Sequence, residues 1–380
     1  MQTKHTELLQ KLIRCKSITP TDAGVLPLLN QYLQKLGFQS LFQTFGTEKE
    51  QVLNLYSALN GNGKNLCFAG HTDVVPPGDI AQWTYDPFSA VIKNDILYGR
   101  GAVDMKSAIV CFIAAVEEYI SQNKNFGTIS FLLTADEEGP AKYGTEPMIE
   151  WLYSNGIKID SCIVGEPVSI ENICDNIKIG ARGSANFIVK IFGVQGHVAY
   201  THRIDNPIKR ANQILTNLHA YNFSHTNAIF DRTNIEVTKI SSDSGAENMV
   251  PNEIEIRFNF RYGSDYDYDS LKDIVKEIVA KNAIKYHIES RTSGNAALWL
   301  NENSNLISIA KSSIQQITGK VPTVNTYGGT SDARFIRKYC EAIEIGCNGN
   351  TAHQIDECVS LADLELLTRI YLKILQNYFF

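Results

Sequence analysis

The chain has 380 residues, 44% of them hydrophobic and 20% charged, with a formal net charge of −6. That length exceeds one ordinary core and predicts two domains, and the acidic balance argues against general nucleic-acid binding. Eight cysteines without a Cys-x-x-Cys pair exclude zinc-ribbon and thioredoxin-like readings, and the longest apolar run, Ala108–Val116, is too short to span a bilayer.

Met1–Glu7 has no secretory apolar region behind it, so a cytoplasmic protein with reduced thiols and no membrane partner is expected. Leu8, Leu9, Leu12 and Ile13 share one helical face over 6–15, and Leu26, Leu29, Leu33 and Leu36 another over 25–36, with Gly37 as the stop. Val52–Leu59 and Asn65–Ala69 read as strands on either side of the turn residues Asn60–Gly63. Directly after the second strand comes Gly70-His71-Thr72-Asp73-Val74-Val75-Pro76. Imidazole is a common zinc ligand, and a ligating histidine usually gives its other ring N–H to a carboxylate; His71 and Asp73 fit those two parts. A hydrogen-bonded loop pair is the plain alternative. Trp83, Tyr85, Pro87 and Phe88 are expected to pack down the loop that Pro76-Pro77-Gly78 forces.

The stretch Gly99-Arg100-Gly101-Ala102-Val103-Asp104-Met105-Lys106 precedes an apolar helix predicted over about 107–121. Asp104 there is either a helix N-cap or a carboxylate free to bridge two cations. Ile129–Leu133 reads as a buried strand followed by Asp136, Glu137 and Glu138. Ser161–Val164 is another, followed by Glu166, and Cys340–Gly346 a last one, with His353 in the loop beyond. Each motif alone has an ordinary structural reading. The repetition carries the inference: strand after strand delivers His, Asp or Glu just past its carboxyl end, where open α/β sheets assemble their sites. Gathered there, the acids would raise one another's pKa values, and two divalent cations relieve that repulsion. Nitrogen and carboxylate ligands without thiolate suit zinc, with cobalt or manganese possible.

The middle of the chain reads as a separate unit. Ala185–Phe192 is a strand, Asn206-Pro207 a helix start with Ile208, Ala211, Leu215 and Leu218 on its face, and Thr233–Ile240 a strand. Ile254, Ile256, Phe258 and Phe260 alternate with polar residues at the strand period. Leu271, Ile274, Val275, Ile278 and Val279 have helical spacing, and Ile284–Ile288 is the final strand. The order is βαββαβ, a ferredoxin-like α+β motif. Residues 180–183 and 292–295 are the expected hinges.

Together with Arg182-Gly183-Ser184, Gln195-Gly196-His197-Val198-Ala199-Tyr200, Phe258–Tyr262 and Gly328–Phe335, these motifs resemble the dinuclear-zinc family of aminoacylases, glutamate carboxypeptidases and related deacylases, and most nearly its bacterial desuccinylases, across nearly the whole chain. The resemblance implies an α/β, mixed-sheet catalytic domain of zinc-peptidase type (1–180 and 293–380) and an inserted lid and dimerisation domain (181–292). It implies two Zn2+ per subunit, replaceable by Co2+, a small N-acyl amino acid substrate, and a homodimer formed through the inserted domain. Asp104 would bridge both ions, His71 and Glu166 complete one, and Glu138 and His353 the other. Asp73 would orient His71, Glu137 would be the general base, and His197 would reach across the dimer to stabilise the oxyanion. The physics of adjacent acids does not itself decide between Glu137 and Glu138. Arg182, Ser184, Tyr200, Asn248, Arg261, Gly329 and Thr330 are the implied substrate contacts. The chain departs from the pattern in four places: Ala181 for a second arginine, Glu247 for an asparagine, Ser107 for a glycine and Cys347 for a proline. The first two bear on the acyl group, where an acetylated amino acid or a dipeptide is the alternative to a succinylated substrate.

Overall fold

A computed structural model describes residues 4–123, 126–300 and 303–380; Met1–Thr3, part of the opening stretch expected to lack a secretory apolar region, lie outside them. The chain forms two units. One takes the residues up to Ile179, Trp299–Asn325 and Ser331–Phe380; the other takes Gly180–Leu298 and Thr326–Thr330.

The first unit opens with α1 (Lys4–Arg14) and α2 (Val25–Lys35), which bury Leu8, Leu9, Leu12 and Ile13, and Leu26, Leu29 and Leu33. Then come β1 (Gln39–Gly46), β2 (Gln51–Leu59), β3 (Asn65–His71), the hairpin β4 (Val91–Lys93) and β5 (Ile96–Tyr98), α3 (Lys106–Gln122), β6 (Thr128–Thr134), α4 (Thr145–Ser154), β7 (Ser161–Val164) and β8 (Asn176–Lys178). The second unit contributes β9 (Gly180–Ala181), β10 (Gly183–Phe192), β11 (Gly196–His197), α5 (Pro207–His219), β12 (Asn234–Ser241), β13 (Met249–Val250), β14 (Glu253–Tyr262), α6 (Tyr268–Asn282), β15 (Lys285–Gly294) and β16 (Ala297–Leu298). The chain then returns to the first unit through α7 (Asn305–Thr318), β17 (Thr323–Asn325), α8 (Ala333–Ile336), β18 (Glu341–Glu344), β19 (Cys358–Ser360) and α9 (Leu361–Tyr378).

Among the described residues the main sheet runs β1-β2-β6-β3-β7-β18-β8-β17. It is mixed, but β6, β3, β7 and β18 are mutually parallel. Their carboxyl ends therefore share one edge. β2 and β3 do not form a hairpin around Asn60–Gly63: β6 lies between them, and Asn62 N–H donates to Phe126 O ahead of β6 at 3.0 Å. Under the edge, Phe68 of β3 stacks on Phe112 of α3 with ring centroids 4.6 Å apart, and Tyr371 of α9 meets both edge-on. Each such pair adds about 1 kcal/mol beyond the area it buries, so the floor beneath the site is stiff.

The second unit has an antiparallel sheet of order β12-β14-β10-β15. Phe187, Val189, Ile191, Ile256, Phe258 and Phe260 point from it to a core closed by Leu271, Val275 and Val279 of α6 and Ala211, Ile214 and Leu218 of α5. Asn206 caps α5, accepting Ile208 N–H at 2.9 Å, with Pro207 following it. Of the expected face of α5, Ala211 and Leu218 are buried and Leu215 packs against the core, but Ile208 is 44% exposed and Ile214 takes a buried place instead. The last strand runs on to Gly294, so Thr292–Gly294 is ladder rather than hinge. The first two crossings, at β9 and β16, are paired with each other, and the chain crosses again on either side of Thr326–Thr330.

Candidate metal centre

β3 ends on His71, whose backbone is fixed by pairing with β6. Its Nε2 lies 3.1 Å from Asp104 Oδ1. From the other side, His353 Nε2 lies 3.1 Å from Asp104 Oδ2 and 2.9 Å from Glu138 Oε1. Glu166, just past β7, brings Oε1 to 3.9 Å from His71 Nε2. His71, Asp104, Glu138, Glu166 and His353 thus converge, with one oxygen of Asp104 turned to each histidine. Asp104 is not a helix cap: Met105 holds that position and makes no side-chain cap bond.

His71 is oriented through Nδ1, which bonds the backbone carbonyl of Asp73 at 2.9 Å; the nearer carboxylate oxygen is 3.7 Å away. The Asp73 carboxylate instead collects the backbone N–H groups of Glu137 and Glu138 at 3.1–3.3 Å. A fully buried carboxylate must satisfy its lone pairs, and these amides are the donors at hand. Asp73 therefore holds the two acids as well as the histidine. The neighbouring Asp136, also buried, accepts the amides of Ala141, Lys142 and Tyr143 and folds the loop beyond them.

The electrostatics are those of a site with surplus negative charge. Burial alone would lower the His71 pKa, but the carboxylates of Asp104, Glu166 and Glu137 hold it well above the usual value. Hydrogen bonds to Asp104 and Glu138 push His353 up to about 10. Burial raises Glu137 well above the usual carboxylate range, with His71 opposing and Asp332 adding to the rise; burial and then Asp104 do the same to Glu166.

Two sets of donor atoms, His71–Glu137–Glu166 and His71–Asp104–Glu138, each lie within 4.8 Å of one another. Glu166 Oε1 is buried and has no hydrogen-bond partner. An orphaned anionic oxygen facing an imidazole nitrogen across 3.9 Å is costly, and a divalent cation with N and O preference fits the gap.

The remaining predicted residues belong to the second unit. His197 is exposed and accepts Ala199 N–H at Nδ1. Tyr200 is exposed beneath the Arg203 guanidinium, and Asn248 carries its carbonyl to Val198 N–H. Arg182 donates to Arg232 O and to Asn234 Oδ1 at 2.8 Å. Asn234 is registered opposite Arg261, whose guanidinium pKa is lowered by burial and then by Arg182. Ser184, also opposite Arg261, is buried and bonded to Asn259. Gly329 is exposed and Thr330 half-buried.

Residues not foreseen also build the centre. Asp332 is buried, accepts Thr145 Oγ1 at 2.6 Å and is pushed up to about 6 chiefly by burial. Lys106 is buried, donates to Leu12 O and Cys15 O, and is lowered to about 8 by burial. Glu357 and Arg100 form a buried pair at 2.7 Å. The arginine between two glycines was visible as a signal, but nothing near Glu357 in sequence marks it as buried.

Residues 67–377 match the model of peptidase family M20/M25/M40. The chain is 44% identical over 374 residues to a succinyl-diaminopimelate desuccinylase of Ehrlichia chaffeensis, covering 98% of this chain and 97% of that one. It is 42% identical over 378 residues to one of Rhodopseudomonas palustris, again covering 98% and 97%. Among solved structures it is similar to an M20 family metallo-carboxypeptidase of Sulfolobus solfataricus, with TM-score 0.79, 18% identity and 99% of both chains covered. A dinuclear metal binding peptidase of the M20 family from Bacillus subtilis matches with TM-score 0.64 and 12% identity over 98% of this chain and 97% of that one.

Proposed function

The chain belongs to peptidase family M20/M25/M40, and on that premise we propose that it hydrolyses N-succinyl-LL-2,6-diaminopimelate to succinate and LL-2,6-diaminopimelate. It is a metal-dependent amidohydrolase of diaminopimelate and lysine biosynthesis, as the names of its relatives indicate.

The observation that carries the reading of the site is the shared carboxylate: His71 and His353 approach opposite oxygens of Asp104 at the same 3.1 Å. Two Zn2+ ions, or Co2+ in their place, would be held by Asp104 in common, one with His71 and Glu166, the other with Glu138 and His353. Ions so held supply Lewis acidity, which polarises an amide carbonyl and brings the pKa of water toward ~7. Glu137, partly open to solvent and already pushed toward proton-holding by burial, takes the proton of the attacking water at its carboxylate and delivers it to the departing amine nitrogen. Asp73 keeps Glu137 and Glu138 in register through their backbone amides. Arg182 and Arg261 suit a carboxylate of the substrate, since a guanidinium fork matches that group; Ser184, Tyr200, Asn248, Gly329 and Thr330 complete its surroundings. His197 stabilises the oxyanion from the partner of a homodimer formed through the inserted domain, 181–292. A biosynthetic enzyme of this kind works in the cytoplasm.

A sister activity on an acetylated amino acid has one observation in its favour. Ala181, where an arginine is expected, is buried in the β9–β16 ladder and offers an anionic acyl tail nothing. The deciding experiment assays succinyl-diaminopimelate and acetylornithine side by side, with chelated and zinc-restored enzyme. Turnover of the succinyl substrate at least tenfold better in kcat/KM, lost on chelation and regained with zinc, is expected; preference for acetylornithine would transfer the assignment to the sister activity.

A further inference from the structure

The proposed ligands differ in how firmly the chain holds them. His71 ends a strand paired on both sides of its length. His353 lies in an exposed loop and has a left-handed backbone, φ 63°, which a residue with a Cβ adopts only against a steric cost. Asp356 ties the far end of that loop to Thr84 and Thr351 closes it on Cys358, while a buried ion pair ties it to the Asp104 turn. One oxygen of Glu357 accepts Arg100 Nη1 at 2.7 Å and Gly101 N–H at 3.1 Å; the other accepts Val103 N–H at 2.8 Å and Asp104 N–H at 3.2 Å. Arg100 in turn donates to the carbonyls of Gln354 at 3.1 Å and His353 at 3.3 Å, with its guanidinium over the Trp83 ring. One pair thus grips the backbone of the bridging aspartate and, through the guanidinium fork, the backbone of the looped histidine.

We propose that Arg100 and Glu357 are positioning residues that brace the Asp104 turn against the His353 loop, and that they set the affinity of the ion shared by Asp104, Glu138 and His353 more than that of the ion beside His71 and Glu166. The proposal rests on the ligand assignment made above. Groups that orient ligands typically change metal affinity 10–100-fold, and the strand-borne His71 has no need of this support.

The test strips the full-length enzyme with a chelator and titrates it with Zn2+ against a chromophoric competitor. Arg100→Lys keeps the charge beside Glu357 but cannot span both loops; Glu357→Gln keeps the shape but turns one of the two accepting oxygens into an N–H donor facing N–H groups. His353→Ala marks the signature of losing the second ion. Wild type is expected to bind two ions. Both variants are expected to weaken one site about 10–100-fold, to leave the other within threefold, and to match the pattern of His353→Ala. Circular dichroism melts of the stripped proteins establish that the variants are folded. Equal weakening of both sites, or none in a folded variant, overturns the proposal. A wild type that takes up fewer than two ions overturns the ligand assignment instead. Should Glu357→Gln not fold, Arg100→Lys with Trp83 intact still decides between these outcomes.

Discussion

The hydroxyl of Ser107 and the thiol of Cys347 lie 3.2 Å apart, both fully buried. The resemblance leads one to expect a glycine and a proline at these two positions, and they are neighbours across 240 residues of sequence. A serine beside a proline would have no such partner, and a cysteine beside a glycine would face a gap. We expect Ser107→Gly alone to cost about 1 kcal/mol, from the helical glycine and the lost contact. Adding Cys347→Pro to it should cost less than the sum of the two single changes by about 0.5 kcal/mol or more, since the residues touch. A double-mutant cycle on urea unfolding measures this, and strict additivity would show that the pair is a coincidence. Turnover should stay within twofold, because neither side chain is a proposed ligand.

Glu137→Gln removes the proton acceptor while keeping the shape that the Asp73 carboxylate grips through the backbone. With the five proposed ligands intact, zinc content should match wild type and kcat should fall about 10²–10⁴-fold, the usual share of a general base. Metal analysis alongside steady-state kinetics checks both halves. A variant that loses metal as well as rate would place Glu137 among the ligands, a reading that the cluster His71–Glu137–Glu166 keeps physically open.

Much of this centre was legible because its residues sit at or just past strand ends in apolar sequence, where a continuous buried strand stops at His71 and just before Glu137 and Glu166. The βαββαβ order of the second unit was legible through a different signal, the period-two alternation of Ile254 to Phe260. What escaped is long-range. That Asp73 serves Glu137 and Glu138 through its carboxylate, and His71 through its carbonyl, depends on β6 lying beside β3, which no local pattern encodes. The same insertion separates the strands Val52–Leu59 and Asn65–Ala69, which lie either side of one turn in sequence. Nothing local in the sequence marks Glu357 or Asp332 as buried; their partners, Arg100 and Thr145, lie 257 and 187 residues away. The sequence expectations also leave out α7 and α9, although Ser304 and Ser360 cap them in the usual way.

Glu117 links α1 and α2 to α3. Lys4 Nζ lies 2.5 Å from one of its oxygens, and His5 Nε2 2.9 Å and Tyr32 Oη 3.2 Å from the other. Burial would raise its pKa, but the hydrogen bonds from Lys4 and His5 outweigh burial and hold it below the usual glutamate value. A carboxylate depressed in the folded state contributes stability above its unfolded pKa of 4.5, and that contribution is lost as pH falls through the folded value. The pair is partly solvent-screened, so Glu117→Gln should cost only about 0.5–1 kcal/mol at pH 7. Melting temperatures taken from pH 7 to pH 3 should show the gap to wild type closing below about pH 4.5. A gap unchanged at pH 3 would mean that Glu117 acts through packing alone.

Arg182 and Arg261 bring two guanidinium groups to one end of the β12–β14–β10 sheet, with Asn234 already bonded to the first. Burial and the neighbouring positive charge depress the Arg261 pKa, the state of a cation lacking an anion. A succinyl tail supplies that anion; an acetyl group does not. Arg261→Ala should therefore raise KM for succinyl-diaminopimelate about 10–100-fold, the 1.5–3 kcal/mol of a charged hydrogen bond, with kcat within fivefold. On acetylornithine the same change should move KM by less than about threefold if the guanidinium holds the acyl end. Steady-state constants for both substrates on both proteins separate the cases. An equal rise on the two substrates would assign Arg261 to the α-carboxylate that both carry, leaving recognition of the acyl tail to Arg182.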